Sequence, residues 1–158
     1  MTTHSDMDSK TPKLLILRGA PGSGKTTICK HKFKSWVRTS ADDYFIDSNG
    51  NYKFDPKLLQ DAHDKCFNRT VTAIETGKNV VVDNTNRALN EFKRYLAIPS
   101  CEIKIYRVTS QFKSEKSIPS HIMTKHLNEY EPHKDEKKIR LLINPDGTSE
   151  LQFMNPKP

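Results

Sequence analysis

The feature that most constrains the fold is a glycine-rich segment that matches the pattern G-x-x-x-x-G-K-[ST]. A short apolar run at residues 14–17 precedes it, and a helical stretch is predicted from residue 25 to about residue 36. This strand–loop–helix order typifies a phosphate-binding loop, because glycine backbone N–H groups and a helix N-terminus face the same anion. We expect nucleotide phosphates to be bound by Gly19, Ala20, Pro21, Gly22, Ser23, Gly24, Lys25, Thr26 and Thr27.

Two side chains at the end of this loop supply charge and a metal ligand. Lys25 can neutralise the β- and γ-phosphates of a nucleoside triphosphate, and the Thr26 hydroxyl can ligate Mg²⁺. Asp83 ends a β-branched run at residues 79–83, a position from which a carboxylate holds the same Mg²⁺. Asp83 fits the N-cap of a following helix equally well. The predicted cofactors are ATP or GTP, together with Mg²⁺.

Strand and helix signals alternate along the chain, which favours an α/β domain. We predict a three-layer domain of the P-loop NTPase type, with a mostly parallel sheet, over residues 13–158. Residues 1–12 are predicted to be a disordered tail, because they are polar and lack periodicity. Further strands are expected at residues 36–38, 79–83 and 102–108. Further helices are expected from Asp55-Pro56 onward, at 89–98 and at 119–130.

A β-hairpin extension is predicted at residues 138–155, around the turn sequence 144–148. This turn comes close to the Asp-x-Asp-Gly-Thr motif of phosphatases that form an aspartyl-phosphate. Asn144 stands where the nucleophilic carboxylate would be, and an amide does not attack phosphorus as a carboxylate does. Only ten residues follow Thr148, so we interpret the segment as a turn.

Length and charge bound the remaining classes of function. The 158 residues suit one domain, and no apolar run approaches the roughly 20 residues that a membrane span needs. The N-terminus lacks the apolar stretch of a secretory signal, and Cys29, Cys66 and Cys101 are odd in number and unpaired in spacing. We therefore expect a cytoplasmic or nuclear protein with reduced thiols. The net charge of +7 fits either an anionic partner or a requirement for solubility.

Two adjacent carboxylates are candidates for the chemical step. Asp42 and Asp43 follow the strand predicted at residues 36–38, and a parallel sheet would bring them beside the phosphate-binding loop. One of them could deprotonate an attacking hydroxyl, although Asp-Asp at a strand end is also an ordinary helix cap. Hydrogen-bonding groups at residues 84–86 follow the strand at 79–83, where α/β sheets bind ligands.

Three motifs in this order resemble the phage-type polynucleotide 5′-hydroxyl kinase family. They are the glycine-rich loop at 19–27, Ser-Ala-Asp-Asp-Tyr-Phe at 40–45 and Val-Asp-Asn-Thr-Asn at 82–86. Tyr52-x-Phe54-Asp55 and Ala62-His63 are similar to its NEDD-binding-protein-like branch. The resemblance spans about residues 13–132.

This resemblance implies phosphorylation of a 5′-hydroxyl on DNA or RNA by ATP or GTP. It implies Asp42 as the general base, Lys25 as the phosphate-gripping lysine and Asn84 as a residue near the acceptor. We add Asp43, Asn86 and Arg69 as candidate acceptor-binding residues, although a helix arginine such as Arg69 is more often simply solvated.

The family also carries an arginine in a segment that precedes a helix, and here Lys113 stands at that position. A lysine keeps the positive charge but lacks the fork that grips two phosphate oxygens at once. Lys116 is an alternative. Phe45 and Ile46 occupy the stretch in which the family has another arginine, after the Asp-Asp pair.

Three hypotheses on function follow, in order of preference. The first is a polynucleotide 5′-hydroxyl kinase, and the second is a kinase of a small hydroxylated metabolite on the same fold. The third is a nucleotide-binding interaction module without transfer activity, which the altered arginine positions favour. A complete phosphate-binding loop together with Asp42 argues against the third.

Overall fold

A mostly parallel β-sheet forms the centre of the computed structural model, which describes residues 11–20, 22–109 and 130–154. Neighbouring strands are parallel except for the last pair, which is antiparallel. The order across the sheet is β2-β3-β1-β4-β5-β6. The strands are β1 (Lys13–Arg18), β2 (Val37–Thr39), β3 (Val80–Asp83), β4 (Glu102–Val108), β5 (Glu136–Ile143) and β6 (Ser149–Met154).

Helices cover both faces of this sheet. They are α1 (Lys25–Lys32), α2 (Leu59–Glu75) and α3 (Leu89–Leu96), with 3₁₀ turns at Ala41–Phe45 and Pro56–Leu58. Alternate residues of β1 point to opposite faces: Leu15 packs with Ile28 of α1, and Leu14 packs in the core that includes Phe92 of α3. These two cores confirm the predicted three-layer α/β fold.

Two boundaries differ from the sequence-based expectation. α1 ends at Lys32, about one turn early, because Phe33 leaves the helical conformation and Trp36 N donates to Phe33 O at 3.0 Å. The resulting turn brings the rings of Phe33 and Trp36 edge to face, with 4.9 Å between centroids, against the core beside α1. β2 consequently begins at Val37. The helix predicted at 119–130 falls almost wholly outside the described residues.

The C-terminal hairpin is confirmed, and it continues the central sheet. β5 begins at Glu136 and pairs in parallel with β4 from Ile105↔Glu136 to Val108↔Ile139. The segment 144–148 is a turn, in which Asn144 N donates to Thr148 O at 2.8 Å. The Asp146 carboxylate accepts hydrogen bonds from the backbone N–H and the hydroxyl of Thr148, which fits the turn interpretation.

A buried arginine connects β1 to the loop after β3 and to the start of β5 and the segment before it. The Arg18 side chain is fully buried and donates to the backbone oxygens of Asn86, Arg87 and Glu131 at 2.6–2.7 Å. Its guanidinium also pairs with Glu136 at 2.6 Å. An unpaired buried charge is costly, so Arg18 favours the conformation in which all of its partners are in reach. Its bonds to Asn86 and Arg87 therefore hold the loop after β3 in place.

The three cysteines are free thiols, as expected. Within the described ranges, no helix has the length and apolar character needed to cross a membrane.

Candidate functional site

The glycine-rich loop has the backbone shape of an anion cradle. Gly22 and Gly24 adopt positive φ angles of 80° and 99°, which residues with a Cβ rarely tolerate. Gly24 is the N-cap of α1 without a side-chain capping bond, and no acidic residue lies in the first turn. A cavity of about 230 Å³ lies against this turn, lined by Gly22, Gly24, Lys25, Thr26 and Thr27. The first-turn N–H groups are therefore placed to receive a phosphate.

Gly19 is fixed where β1 enters the loop. Its N–H donates to Thr85 O at 3.2 Å, which connects the loop to the segment after β3. A Cβ at this position would lie 2.5 Å from Ser23 Oγ and 3.3 Å from Val108 Cβ. A side chain at this position would crowd Ser23 and Val108, which favours glycine under the cradle.

The Lys25 ammonium is hydrogen-bonded to the backbone of the phosphate-binding loop. Its Nζ donates to Gly19 O at 2.8 Å and approaches Ala20 O at 3.4 Å. Burial lowers the pKa of Lys25, and the negative charges of Asp83 and Asp42 oppose part of that shift. Lys25 therefore presents a largely desolvated ammonium within the loop, which suits a negatively charged ligand.

Asp83 lies near the hydroxyl of Thr26, at the end of the phosphate-binding loop. Thr26 Oγ1 is 3.3 Å from Asp83 Oδ2, and Asp83 is 5% exposed. The N-cap of α3 is Ala88, so Asp83 does not cap that helix.

Thr26 and Asp83 provide a hydroxyl and a carboxylate oxygen, the hard ligands that Mg²⁺ prefers. Among the described residues no group of three or more His, Cys, Asp or Glu side chains is placed to hold a metal. A site with two protein ligands still fits Mg²⁺, which is usually bound through few side chains together with substrate phosphates and waters.

Arg38 on β2 is a site residue that the sequence analysis missed. Its Nε donates to Asp83 Oδ2 at 2.8 Å, and its Nη1 lies 3.5 Å from Asp43 Oδ1. Asp43 in turn lies 3.7 Å from Nη1 of Arg69 on α2. Alternating charges thus run from the phosphate-binding loop to α2. The only sequence signal was an arginine in the short strand before the Asp-Asp pair.

A cleft of about 320 Å³ lies at the far end of this charge network. Two cationic side chains, Lys65 and Arg69 of α2, line it together with Asp43. The remaining lining residues are Ser40, Tyr44, Ile46, Ala62 and Cys66. The cleft can accept an anionic or hydrogen-bonding group beside the Asp-Asp pair.

Asp42 lies on a 3₁₀ turn whose N-cap is Ser40. Ser40 Oγ accepts from Asp42 N at 3.3 Å, so Ser40 rather than Asp42 provides the cap. The Asp42 carboxylate is exposed, and Tyr52 Oη donates to its Oδ1 at 3.4 Å. An exposed carboxylate at this place, close enough to interact electrostatically with Lys25, can take a proton from a bound hydroxyl.

The two asparagines after β3 differ in placement. Asn84 Oδ1 accepts from Ala41 N at 2.9 Å, which fixes the turn that carries Asp42. Asn86 is 2% exposed, has a positive φ of 47° and donates to Leu17 O at 2.8 Å. The structure therefore brings Asn84 to the site, whereas Asn86 supports the backbone of β1.

Two predicted site residues, Pro21 and Lys113, lie outside the described residues, as does the alternative Lys116.

Comparison with known proteins identifies relatives of this chain. A family model described as AAA domain matches residues 14–116. NEDD4-binding protein 2 of Homo sapiens is 42% identical over 89 residues, which make up 54% of this chain and 5% of that protein.

Solved structures show the same fold. A chain of the Pnkp1/Rnl/Hen1 complex superposes with a TM-score of 0.56 at 25% identity, covering 73% of this chain and 38% of that chain. A second similar structure is that of the Pnkp1/Rnl/Hen1 RNA repair complex. A gluconokinase from Sinorhizobium meliloti 1021 has a TM-score of 0.56 at 10% identity, covering 82% of this chain and 83% of the other. The chain therefore spans only part of NEDD4-binding protein 2 and of the Pnkp1/Rnl/Hen1 chain.

Proposed function

Because this chain belongs to the AAA-domain family and is a P-loop kinase-like protein, we propose that it phosphorylates 5′-hydroxyl ends of DNA or RNA. The donor is a nucleoside triphosphate, ATP or GTP, and the transferred group is its γ-phosphate. The observation that carries the proposal is the placement of Asp42 next to Asp43, which lines the Lys65–Arg69 cleft, together with the electrostatic interaction between Asp42 and Lys25.

The donor phosphates bind at the N-terminus of α1. The first-turn N–H groups and the Lys25 ammonium neutralise negative charge on the β- and γ-phosphates. Thr26 and Asp83 would hold Mg²⁺, which would supply positive charge to offset the negative charge of the phosphates. These groups hold the γ-phosphorus in place for attack.

Asp42 acts on the acceptor. Its carboxylate accepts the proton of the 5′-hydroxyl as that oxygen bonds to the γ-phosphorus and the bond to the β–γ bridging oxygen breaks. Asn84 and Ser40 act indirectly, since their hydrogen bonds fix the 3₁₀ turn that aims Asp42.

The cleft on α2 supports a polynucleotide acceptor over a neutral metabolite. A nucleotide with a free 5′-hydroxyl carries its first phosphodiester on the 3′ side, and Lys65 and Arg69 offer that phosphate two cations. Arg69 is oriented toward the site by Asp43. The similarity to a chain of the Pnkp1/Rnl/Hen1 complex, which is described as an RNA repair complex, agrees with a nucleic-acid acceptor.

The test is transfer of labelled γ-phosphate from ATP or GTP to a panel of acceptors at two salt concentrations. The panel contains 5′-hydroxyl DNA, 5′-hydroxyl RNA, nucleosides and sugars, with 5′-phosphorylated oligonucleotides as the blocked control. We expect labelling of the 5′-hydroxyl oligonucleotides alone, weakened by added salt because binding releases counterions. Salt-insensitive labelling of a small hydroxylated compound would identify a metabolite kinase instead. Nucleotide binding without transfer to any acceptor would identify an interaction module.

A further inference from the structure

An ordered loop between the Asp-Asp pair and α2 displays aromatic rings beside the site. Ile46 and Tyr52 form an antiparallel bridge, and Lys53 N donates to Phe45 O at 2.8 Å. At the tip of the loop, Asp47 Oδ1 accepts from the backbone N–H groups of Asn49 and Asn51, each at 2.9 Å. The loop is therefore hydrogen-bonded at both its base and its tip, which fixes the direction of its side chains.

Tyr52 and Phe54 are the most exposed rings of this loop. Their exposed fractions are 55% and 51%, and the two rings lie 13° from parallel with centroids 6.5 Å apart. Phe45, only 5% exposed, packs its ring edge to face against Phe54 at 5.0 Å and against Tyr52 at 6.2 Å. The buried Phe45 ring thus supports two exposed rings. Because the positions of these rings are already fixed in the free protein, little conformational entropy is lost when a ligand packs on them.

The two rings lie at the reacting end of the site. Tyr52 Oη contacts the Asp42 carboxylate at 3.4 Å. Lys53, between the two rings in sequence, has a side chain that is 75% exposed, and Lys65 of the cleft lies 5.9 Å above the ring of Tyr44. Aromatic faces interleaved with cations fit a chain that alternates flat bases with negative phosphates.

We infer that Tyr52 and Phe54 form a stacking platform for unpaired nucleobases at the 5′ end of a single-stranded acceptor. This inference rests on the proposed function, because the terminal 5′-hydroxyl must lie at Asp42 for the adjoining bases to reach the two rings. Every base has a π-face, so the platform binds without regard to sequence. Bases paired in a duplex are already stacked on their neighbours, so the platform favours single-stranded 5′ ends over blunt ends.

The test measures binding and transfer separately, with a 5′-hydroxyl oligonucleotide that carries the fluorescent base 2-aminopurine at its second position. The variants are Phe54→Ala, Tyr52→Ala and Tyr52→Phe. Phe153→Ala is the matched control, because Phe153 on β6 is 47% exposed and packs on Tyr106 at 5.4 Å. From the usual strength of base–aromatic stacking, each alanine variant should bind the oligonucleotide roughly 5- to 150-fold more weakly. Tyr52→Phe keeps the ring and should bind as wild type does.

A second oligonucleotide, abasic at the stacked positions, identifies the contact. The losses caused by the abasic sugar and by Phe54→Ala should not add, because each removes the same stacking interaction. The KM for ATP should remain unchanged in Phe54→Ala, since that ring does not line the cavity at the phosphate-binding loop.

The outcomes separate this inference from the proposed function. Wild-type transfer, together with Phe54→Ala binding no more weakly than Phe153→Ala, would overturn the platform and leave the kinase proposal standing. Binding that depends on Phe54 without any transfer by the wild type would support the platform and overturn the kinase proposal. Full additivity of the abasic and Phe54→Ala losses would also overturn the platform.

Discussion

Arg38 on β2 donates from Nε to Oδ2 of Asp83 on the neighbouring strand β3, over 2.8 Å. The same carboxylate oxygen lies 3.3 Å from the Thr26 hydroxyl. Asp83 is almost fully buried, so its charge needs a compensating cation. Arg38 supplies that charge, and Mg²⁺ bound to a nucleotide would supply a second one.

Replacing Arg38 with alanine should destabilise the free protein and increase its response to nucleotide. The variant leaves Asp83 without its charged donor, and hydrogen bonds to charged groups contribute about 1.5–3 kcal/mol. Mg²⁺–ATP should restore part of that loss, because bound cation neutralises the same carboxylate. Thermal unfolding with and without Mg²⁺–ATP measures both effects.

Arg94→Ala is the matched control for Arg38→Ala. Arg94 pairs with Asp64 at 2.9 Å, but both side chains are more than a third exposed. Exposed pairs contribute roughly 0–1 kcal/mol, and the Arg94 guanidinium also lies 4.7 Å over the Phe67 ring, so the control should lose only modest stability. Its response to nucleotide should match that of wild type. Equal losses in the two variants would contradict the role assigned to Arg38.

Replacing Lys25 with methionine should weaken nucleotide binding without destabilising the free protein. Loss of a charged hydrogen bond to phosphate, about 1.5–3 kcal/mol, weakens binding roughly ten- to a hundred-fold. Isothermal titration with Mg²⁺–ATP measures that change. A variant that binds nucleotide as wild type does would show that Lys25 does not contact the phosphates.

The pH dependence of stability gives an independent measure of the Lys25 site. Because burial lowers the pKa of Lys25 below its ordinary value of 10.5, folding a charged Lys25 costs free energy at neutral pH. That cost decreases as the pH rises from the lowered pKa toward 10.5. Lys25→Met should therefore be at least as stable as wild type near pH 7, with an advantage that shrinks above the lowered pKa. Urea unfolding across this range measures the difference.

Replacing Arg69 with alanine should weaken acceptor binding and its salt dependence together. If Arg69 contacts one backbone phosphate, the slope of log K against log salt should become shallower by about one. Binding of a 5′-hydroxyl oligonucleotide at several salt concentrations gives that slope. Arg140→Ala, an exposed arginine on the C-terminal hairpin, is the control and should leave the slope unchanged. An unchanged slope in Arg69→Ala would remove Arg69 from the acceptor site.

Local patterns in the sequence were sufficient to predict the fold. The apolar run of β1, the glycines of the phosphate-binding loop and the β-branched run of β3 each specify their element through neighbouring residues. The strand spanning 102–108 matches its prediction at both ends, because its polar–apolar alternation is complete there. α1 was predicted too long because the packing of Phe33 and Trp36 onto the sheet, which ends the helix, leaves no local signal.

The connections within the site depend on contacts between distant residues. Arg38 meets Asp83 across 45 positions of sequence, and only the adjacency of β2 and β3 joins them. Tyr52 and Phe54 resembled family positions in the sequence, but their exposure and their contact with Asp42 required the folded loop. Asn86 had a favourable position beside Asn84, yet its backbone conformation turns it into the protein interior.

The most direct test of the proposed function is single-turnover transfer from labelled ATP to a 5′-hydroxyl oligonucleotide by wild type and by Asp42→Asn. General base catalysis contributes typically 10²–10⁴-fold, so we expect wild type to label the 5′ end and the variant to be slower by about that factor. Nucleotide affinity should be retained in the variant. Asp146→Asn, in the hairpin turn, should transfer at the wild-type rate. Wild type that binds ATP but labels no oligonucleotide, or an Asp42→Asn variant that transfers at the wild-type rate, would contradict the account.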